Sequence, residues 1–129
     1  MITGQNYHLF NHANGRENLF IEERNYVFFL KKLSNHILPV CKLFSYCLMP
    51  NHFHLVLQVR YEEELQKFWQ KPGSQTTFTQ KQLELKISKS FASLFRSYTQ
   101  SFNKVYNRMG SLFIPSMKME EITRCQSFL

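Results

Sequence analysis

A chain of 129 residues with 43% hydrophobic and 19% charged side chains has the composition of a folded globular protein, which excludes the disordered and fibrous classes. Sixteen lysines and arginines oppose nine glutamates and no aspartate, and the formal net charge of +7 favours a polyanionic partner. No apolar run approaches the ~20 residues that cross a bilayer, and no leader pattern opens the sequence, so we expect one cytoplasmic domain over residues 1–129 with no membrane partner.

The cysteines are consistent with that location. Cys41, Cys47 and Cys125 are odd in number and show no C-x-x-C spacing. Cysteines of this kind are typical of reduced thiols in a reducing compartment.

The start of the sequence predicts a strand and then a helix. Residues 7–10 form a short, apolar-leaning stretch that suits a strand and is followed by the turn-forming pair Asn14 and Gly15. Apolar side chains then recur at helical spacing over residues 22–38, with glutamates at the N-terminal end. Because Pro39 cannot continue a helix, the predicted helix ends there.

A predicted hairpin carries two histidines on one face of its second strand. Residues 41–49 fit a strand, and residues 50–51 supply a tight connection to an antiparallel partner. Since side chains alternate along a strand, His52 and His54 share one face and Phe53 lies on the other. Strand positions i and i+2 lie roughly 7 Å apart, so both imidazoles could bind one divalent ion while acceptors hold their second ring nitrogens.

The His-x-His pattern has other interpretations. A pair of histidines on a polar strand face is equally compatible with solvated surface, and only two of the three or more ligands expected at a metal site are visible. A histidine-triad nucleotide hydrolase needs a third histidine at the next alternate position. Val56 stands there, so that class is disfavoured.

The second half of the sequence predicts two helices and a last strand. Glutamates open a short helix over residues 62–69, and residues 72–77 form a loop. Apolar residues over 83–105 recur at steps of three and four, which predicts a long helix with one apolar stripe. Residues 107–110 resemble a helix C-cap, and residues 112–114 are the last predicted strand.

The order of the elements predicts the fold. Strand, helix, strand, strand, helix, strand is the order of a ferredoxin-like α+β sandwich, an antiparallel sheet with helices on one face. Phe53, Leu55 and Leu57 are then expected in the core. His52 and His54 are expected on the open face of the sheet, where chemistry is accessible.

The positive charge is concentrated in one third of the sequence. Residues 80–118 hold seven lysines and arginines and one glutamate, which accounts for +6 of the net +7. This asymmetry favours nucleic acid as the partner, although a solvated helix face is the alternative. The predicted DNA contacts are Arg16, Lys89, Arg96, Lys104 and Arg108.

Several blocks resemble a known enzyme family. Tyr7 and His8, residues 14–20, residues 46–55 and residues 102–113 occur in the order found in single-tyrosine HUH transposases, and most closely resemble the REP-associated tyrosine transposases. The block Met-Pro-Asn-His-Phe-His within residues 46–55 is quite specific to that branch. The resemblance extends over essentially the whole chain, from Tyr7 to Lys118.

The resemblance implies an enzyme that cleaves and rejoins DNA. Its substrate would be single-stranded DNA carrying a hairpin, and His52 and His54 would help to bind Mg²⁺ or Mn²⁺ at the scissile phosphate. A tyrosine would attack to give a 5′-phosphotyrosine intermediate, as expected of a transposase or single-strand endonuclease. Family members are homodimers or monomers, and the resemblance leaves both open.

The sequence departs from the family at the nucleophile. In the family, the attacking tyrosine and a third metal ligand lie on a further helix after the last strand, but no tyrosine follows Tyr106 in these 129 residues. Tyr98 lies in the apolar stripe and Tyr106 lies beside it, so both are expected to pack. The sequence therefore predicts a transposase-type domain without its catalytic helix and inactive as this chain. The alternative is a non-catalytic DNA- or RNA-binding module.

Overall fold

The computed structural model describes residues 1–123. They form four strands and three helices: β1 Asn6–His12, α1 Glu23–His36, β2 Cys41–Met49, β3 His52–Val59, α2 Glu62–Trp69, α3 Gln80–Val105 and β4 Lys118–Ile122. No helix among them is long and apolar enough to cross a membrane.

The strands form one antiparallel sheet in the order β2-β3-β1-β4. Side chains on one face of the central strands are fully or nearly fully buried, as at Leu9, Phe53 and Leu55, whereas those on the other face are partly exposed. The buried face is covered by helices, and the predicted ferredoxin-like α+β arrangement is confirmed.

Local sequence signals determine where helices α3 and α1 begin or end. Helix α3 begins at a capping box, in which the Thr79 side chain accepts a hydrogen bond from the Gln82 backbone N–H at 3.2 Å. Its apolar stripe is buried, and the helix ends before Asn107, whose φ of 50° is left-handed. Helix α1 ends at His36, shortly before Pro39.

The core beneath the sheet is aromatic. The Tyr98 ring is 1% exposed and lies edge-on to Phe29, with 5.2 Å between ring centroids, and Phe29 in turn packs on Phe53 at 5.5 Å. The Tyr98 hydroxyl donates a hydrogen bond to the Leu19 carbonyl oxygen at 2.6 Å, so its one polar atom is satisfied. The predicted packing role of Tyr98 is confirmed.

The predicted position of the last strand is wrong. Strand β4 covers Lys118–Ile122, whereas the predicted residues 112–114 make only an isolated bridge between Ala13 and Phe113. Phe113 is apolar because it fills the core against α3, and Pro115 lacks the N–H that a ladder requires. Strand β4 pairs only with β1 among the described strands and is largely exposed, so it lacks an apolar alternation.

The thiols fall in different environments. Cys41 is buried, and burial raises the pKa of its thiol to about 12. Cys47 is an exposed free thiol on β2. Cys125 lies outside the described residues.

Candidate metal and nucleic-acid site

The two predicted histidines lie on the open face of the sheet. Burial alternates along β3, with Phe53 and Leu55 at 0% exposure and His52 and His54 partly exposed. The ring centroids of His52 and His54 are 5.3 Å apart and the ring planes are nearly perpendicular, at 89°. The predicted shared face is therefore confirmed, and both imidazoles are accessible to a ligand.

Strand β1 brings further rings to the same face. In the antiparallel register, His12 lies opposite His52 and Phe10 lies opposite His54. His8 lies two residues before Phe10 on β1 and on the same face, so His8, His12, His52 and His54, four of the five histidines of the chain, share this surface. Sequence reasoning missed the β1 histidines as site residues. The period-two spacing of His8, Phe10 and His12 was the available signal, but the register between strands could not be inferred from it.

An asparagine orients the ring of His52. Its Nδ1 lies 2.8 Å from the Asn51 side-chain oxygen at the hairpin turn. Since that oxygen can only accept a hydrogen bond, Nδ1 carries the proton. The lone pair on Nε2 of His52 is then available to a metal ion.

A chain of polar contacts orients the ring of His54 in the same way. His54 Nδ1 lies 2.9 Å from His8 Nε2, and His8 Nδ1 lies 3.7 Å from a carboxylate oxygen of Glu120 on β4. The contact with Glu120 is longer than a hydrogen bond, and in the tautomer of His8 that carries its proton on Nδ1 the Nε2 atom accepts a hydrogen bond from His54 Nδ1. This leaves the lone pair of His54 Nε2 available, in the pattern by which carboxylates and imidazoles orient metal-binding histidines.

The electrostatic environment favours neutral His54. Burial, followed by the neighbouring His8 and His52, lowers the pKa of His54. The neutral imidazole, which is the form that binds metals, therefore persists to lower pH than in an isolated histidine. Within residues 1–123, no group of three or more His, Cys, Asp or Glu side chains is arranged to hold a metal ion.

A cleft of about 340 Å³ lies against the histidines. Its lining comes from β1, the start of β3 and the turns beside them: Phe10, Asn11, His12, Ala13, Gly15, Asn51, His52 and His54. Gly15 has a φ of +57° and permits the turn that forms one wall. Two further hollows flank α3 on the helical side of the sheet, and no histidine lines either of them.

The predicted cations are spread over both sides of the sheet. Lys89 and Arg96 are exposed, seven residues apart on the outer side of α3, and we call them the outer α3 pair. The buried stripe of α3 and the sheet separate this pair from the histidines. Lys104 lines the hollow between α1 and α3. Arg16 is exposed directly after Gly15, so it is the predicted cation beside the cleft.

The Arg108 side chain forms intramolecular contacts. Its guanidinium pairs with the carboxylate of Glu17 and donates to the carbonyl oxygens of Gly110 and Ser111, the latter at 2.7 Å. The side chain is 18% exposed. These contacts tie the end of α3 to the loop after β1.

Lys118 is a cation of the open face that the predicted contacts did not include. It is exposed on β4 directly opposite Phe10. Its position could not be predicted because the last strand had been placed too early in the sequence. Among the described cations, Lys118 lies beside the cleft by strand register and Arg16 by chain position.

The tyrosines do not reach the histidines. All six lie within residues 1–123, and none of them has a hydrogen bond or ring contact with His52 or His54 there. Tyr98 is buried on the opposite side of the sheet, and the Tyr106 hydroxyl donates to the carboxylate of Glu22. The described residues thus provide imidazoles at the cleft and no nucleophilic tyrosine.

Comparison with known proteins supports the fold. No protein-family model matches the sequence, and no curated protein is significantly similar to it. A solved structure of a REP-associated tyrosine transposase bound to a REP hairpin matches with a TM-score of 0.59 and 9% sequence identity. The match covers 96% of this chain and 59% of that chain, so this chain spans about three fifths of the length of that transposase. At this identity the likeness shows a shared fold.

Proposed function

We propose that the open face of the sheet binds single-stranded DNA carrying a hairpin and that His52 and His54 hold a divalent metal ion at one of its phosphates. The observation that carries the proposal is the shared face of the two rings beside the cleft, with a polar atom 2.8 Å from Nδ1 of His52 and another 2.9 Å from Nδ1 of His54. The fold shared with a transposase bound to a REP hairpin supports the same DNA class.

The two imidazoles fit one of the metals that the resemblance implies better than the other. Two neutral imidazoles suit a first-row ion such as Mn²⁺ better than Mg²⁺, which prefers oxygen ligands and retains water. His52 and His54 would supply two ligands, and phosphate and water oxygens could complete the shell. When bound, the ion would stabilise negative charge that develops on the phosphoryl group.

The remaining residues of the face have supporting roles in this proposal. Asn51 and His8 hold the metal-binding rings in one tautomer, which lowers the cost of assembling the site. Arg16 and Lys118 neutralise the DNA backbone, and the net charge of +7 attracts it from solution.

Strand cleavage through a phosphotyrosine is the finer part of the proposal. Attack requires a tyrosine oxygen about 3 Å from the phosphorus, and a misplacement of an ångström costs orders of magnitude in rate. The tyrosines of this chain do not meet that condition at the cleft, so we assign its residues DNA binding and metal binding. The alternative function is a DNA- or RNA-binding module without catalysis, which the same lack of a placed tyrosine favours.

Metal binding and DNA binding can be measured separately. Mn²⁺ binding is followed by electron paramagnetic resonance, and binding of a labelled hairpin with an unpaired tail by fluorescence anisotropy. We expect the wild-type chain to bind Mn²⁺ and to bind the hairpin more tightly in its presence. The His52→Ala, His54→Ala double variant should lose both effects, whereas the control His36→Ala, on α1, should keep them.

The outcomes distinguish the two functions. Hairpin binding that is independent of Mn²⁺ and of both histidines would support the non-catalytic module. Failure of the wild-type chain to bind any single-stranded DNA would refute the proposal as a whole.

A further inference from the structure

We infer that Phe10, together with the imidazoles of His8 and His54, forms a stacking platform for one unpaired nucleobase beside the metal-binding histidines. The inference rests on the proposed function and deepens it, because it names which part of the DNA the face recognises.

Phe10 is an apolar ring on a strand face that is otherwise polar. Along β1, Leu9 and the other core-facing residues are buried, while Phe10 is partly exposed on the opposite face. Its ring therefore does not contribute to the core beneath the sheet. Large aromatic rings left on an open sheet face are the usual means by which such sheets hold unpaired bases.

Three rings at this position are close together and nearly parallel. Ring centroids are 5.6 Å apart between Phe10 and His54, 5.1 Å between Phe10 and His8, and 5.1 Å between His8 and His54. The angles between their planes are 27°, 32° and 20°. Contact and packing hold the three rings in one orientation, so little conformational freedom remains to be lost when a base stacks against them.

The surroundings of Phe10 fit a nucleotide. The ring lines the cleft together with His52 and His54, so a base on Phe10 would belong to a nucleotide adjacent to a phosphate at those histidines. Lys118 lies directly across the β1–β4 ladder from Phe10 and is exposed. An aromatic ring with a cation next to it offers a base its stacking partner and the neighbouring phosphate its counter-charge.

Stacking selects unpaired DNA. In a duplex, both faces of each base are covered by its neighbours, whereas the bases of a single-stranded tail expose a free π face. The platform therefore predicts that the tail beside the hairpin, and not the paired stem, occupies the cleft.

The test compares three variants by anisotropy with a hairpin that has an unpaired tail. Phe10→Leu should weaken binding about tenfold, because stacking on one ring is lost. The slope of affinity against salt should stay unchanged because no charge is removed. Phe10→Trp should retain wild-type affinity, and the matched control Phe68→Leu, on the exposed side of α2, should have no effect.

Two further measurements address the mechanism. A tail with abasic sites should bind the wild-type chain as weakly as the intact tail binds Phe10→Leu, and the two losses should not add. If Phe10→Leu does not fold, the Phe10→Trp variant provides the test. A fluorescent 2-aminopurine base is placed at successive positions of the tail, and its fluorescence should be quenched at the one position that stacks on the indole ring introduced by Phe10→Trp.

Three results would overturn the inference. One is a Phe10→Leu variant that binds the tail like the wild type while Mn²⁺ still acts through His52 and His54, which would leave the proposed function intact. Another is a loss of Mn²⁺ affinity equal to the loss of DNA affinity, because Phe10 would then act only by supporting His54. Absence of any binding by the wild-type chain would refute the platform together with the proposed function.

Discussion

The substitution His8→Phe tests whether metal binding by His54 requires the contact between its Nδ1 and His8. In His8→Phe an aromatic ring remains on β1 and can pack on His54, but the acceptor 2.9 Å from His54 Nδ1 is lost. The ring of His54 can then rotate or change tautomer, and its Nε2 is no longer directed to one point. We expect weaker Mn²⁺ binding with little change in the fold.

The magnitude follows from the exposure of the contact. Loss of a partner that orients a metal-binding histidine typically lowers metal affinity by about 10- to 100-fold. The His8 side chain is 30% exposed, so water can replace part of the lost hydrogen bond. The effect should therefore lie at the lower end, about tenfold in Kd, which corresponds to ~1.4 kcal/mol.

The assay is isothermal titration of Mn²⁺ at pH 7.5. His8→Gln should recover much of the affinity, since its amide oxygen can accept the His54 Nδ1 hydrogen bond. The control His36→Phe removes a histidine on α1 and should leave Kd unchanged. The reasoning would be refuted by a His8→Phe variant with wild-type Kd in an assay where His54→Phe abolishes binding.

Three other perturbations probe charge, pH and packing. Arg16→Gln combined with Lys118→Gln should reduce the slope of log affinity against log salt by about 1.4 for a single-stranded tail without a hairpin, two contacts at ~0.7 each. Replacement of the outer α3 pair should leave that slope unchanged, because the sheet lies between the pair and the cleft; an equal effect of both replacements would contradict this geometry. Since the folded-state pKa of His54 is lowered, the unfolded chain binds more protons on acidification, and stability should fall as pH drops below about 6.5 until the folded pKa is reached. Urea unfolding at pH 7.5 and pH 5 should show this fall, and His54→Gln should reduce it. Tyr98→Phe should lower the free energy of unfolding by about 1–3 kcal/mol, since the buried Leu19 carbonyl oxygen loses its donor, and should leave DNA binding unchanged.

Elements with a clear local signal, either flanking turn residues or a regular spacing of apolar side chains, were predictable from the sequence. Strand β2 and helix α2 were predicted with the bounds that the structure shows, because turn or loop residues flank both of them. The buried stripe of α3 follows the predicted spacing from Leu83 to Phe102. In each case a local pattern determines the structure, and distant contacts only reinforce it.

The parts that sequence reasoning missed depend on contacts between distant segments. His8 became a site residue only through the register that places β1 against β3, and register has no local signature. Strand β4 is an exposed edge strand with the sequence Lys-Met-Glu-Glu-Ile, and its charges conceal it from a search for apolar alternation. Both errors affected the same place, because Glu120 and Lys118 on β4 complete the open face around the histidines.

The last prediction concerns attack by tyrosine: this chain alone should form no covalent adduct with a labelled hairpin, even with Mn²⁺ present. Tyr98 is buried beneath the sheet, and Tyr7 is buried on the core face of β1. Tyr46 lies opposite Leu55 in the ladder, so it points away from the His54 face although it is exposed. Tyr106 is held at the helical side by α1, which also carries Tyr26, and Tyr61 at the start of α2 contacts the Gln58 side chain at the opposite end of β3 from His52.

A tyrosine that attacks a phosphate at the cleft would have to approach the open face from outside the described residues, since α1, α2 and α3 all pack on the other side. A second protein molecule or an additional segment could supply it, because no helix of residues 1–123 covers this face. A denaturing gel of the chain with labelled hairpin DNA tests the prediction. A protein-linked band would contradict it, and Tyr46→Phe and Tyr106→Phe would then show whether an exposed or a packed tyrosine had moved to the open face.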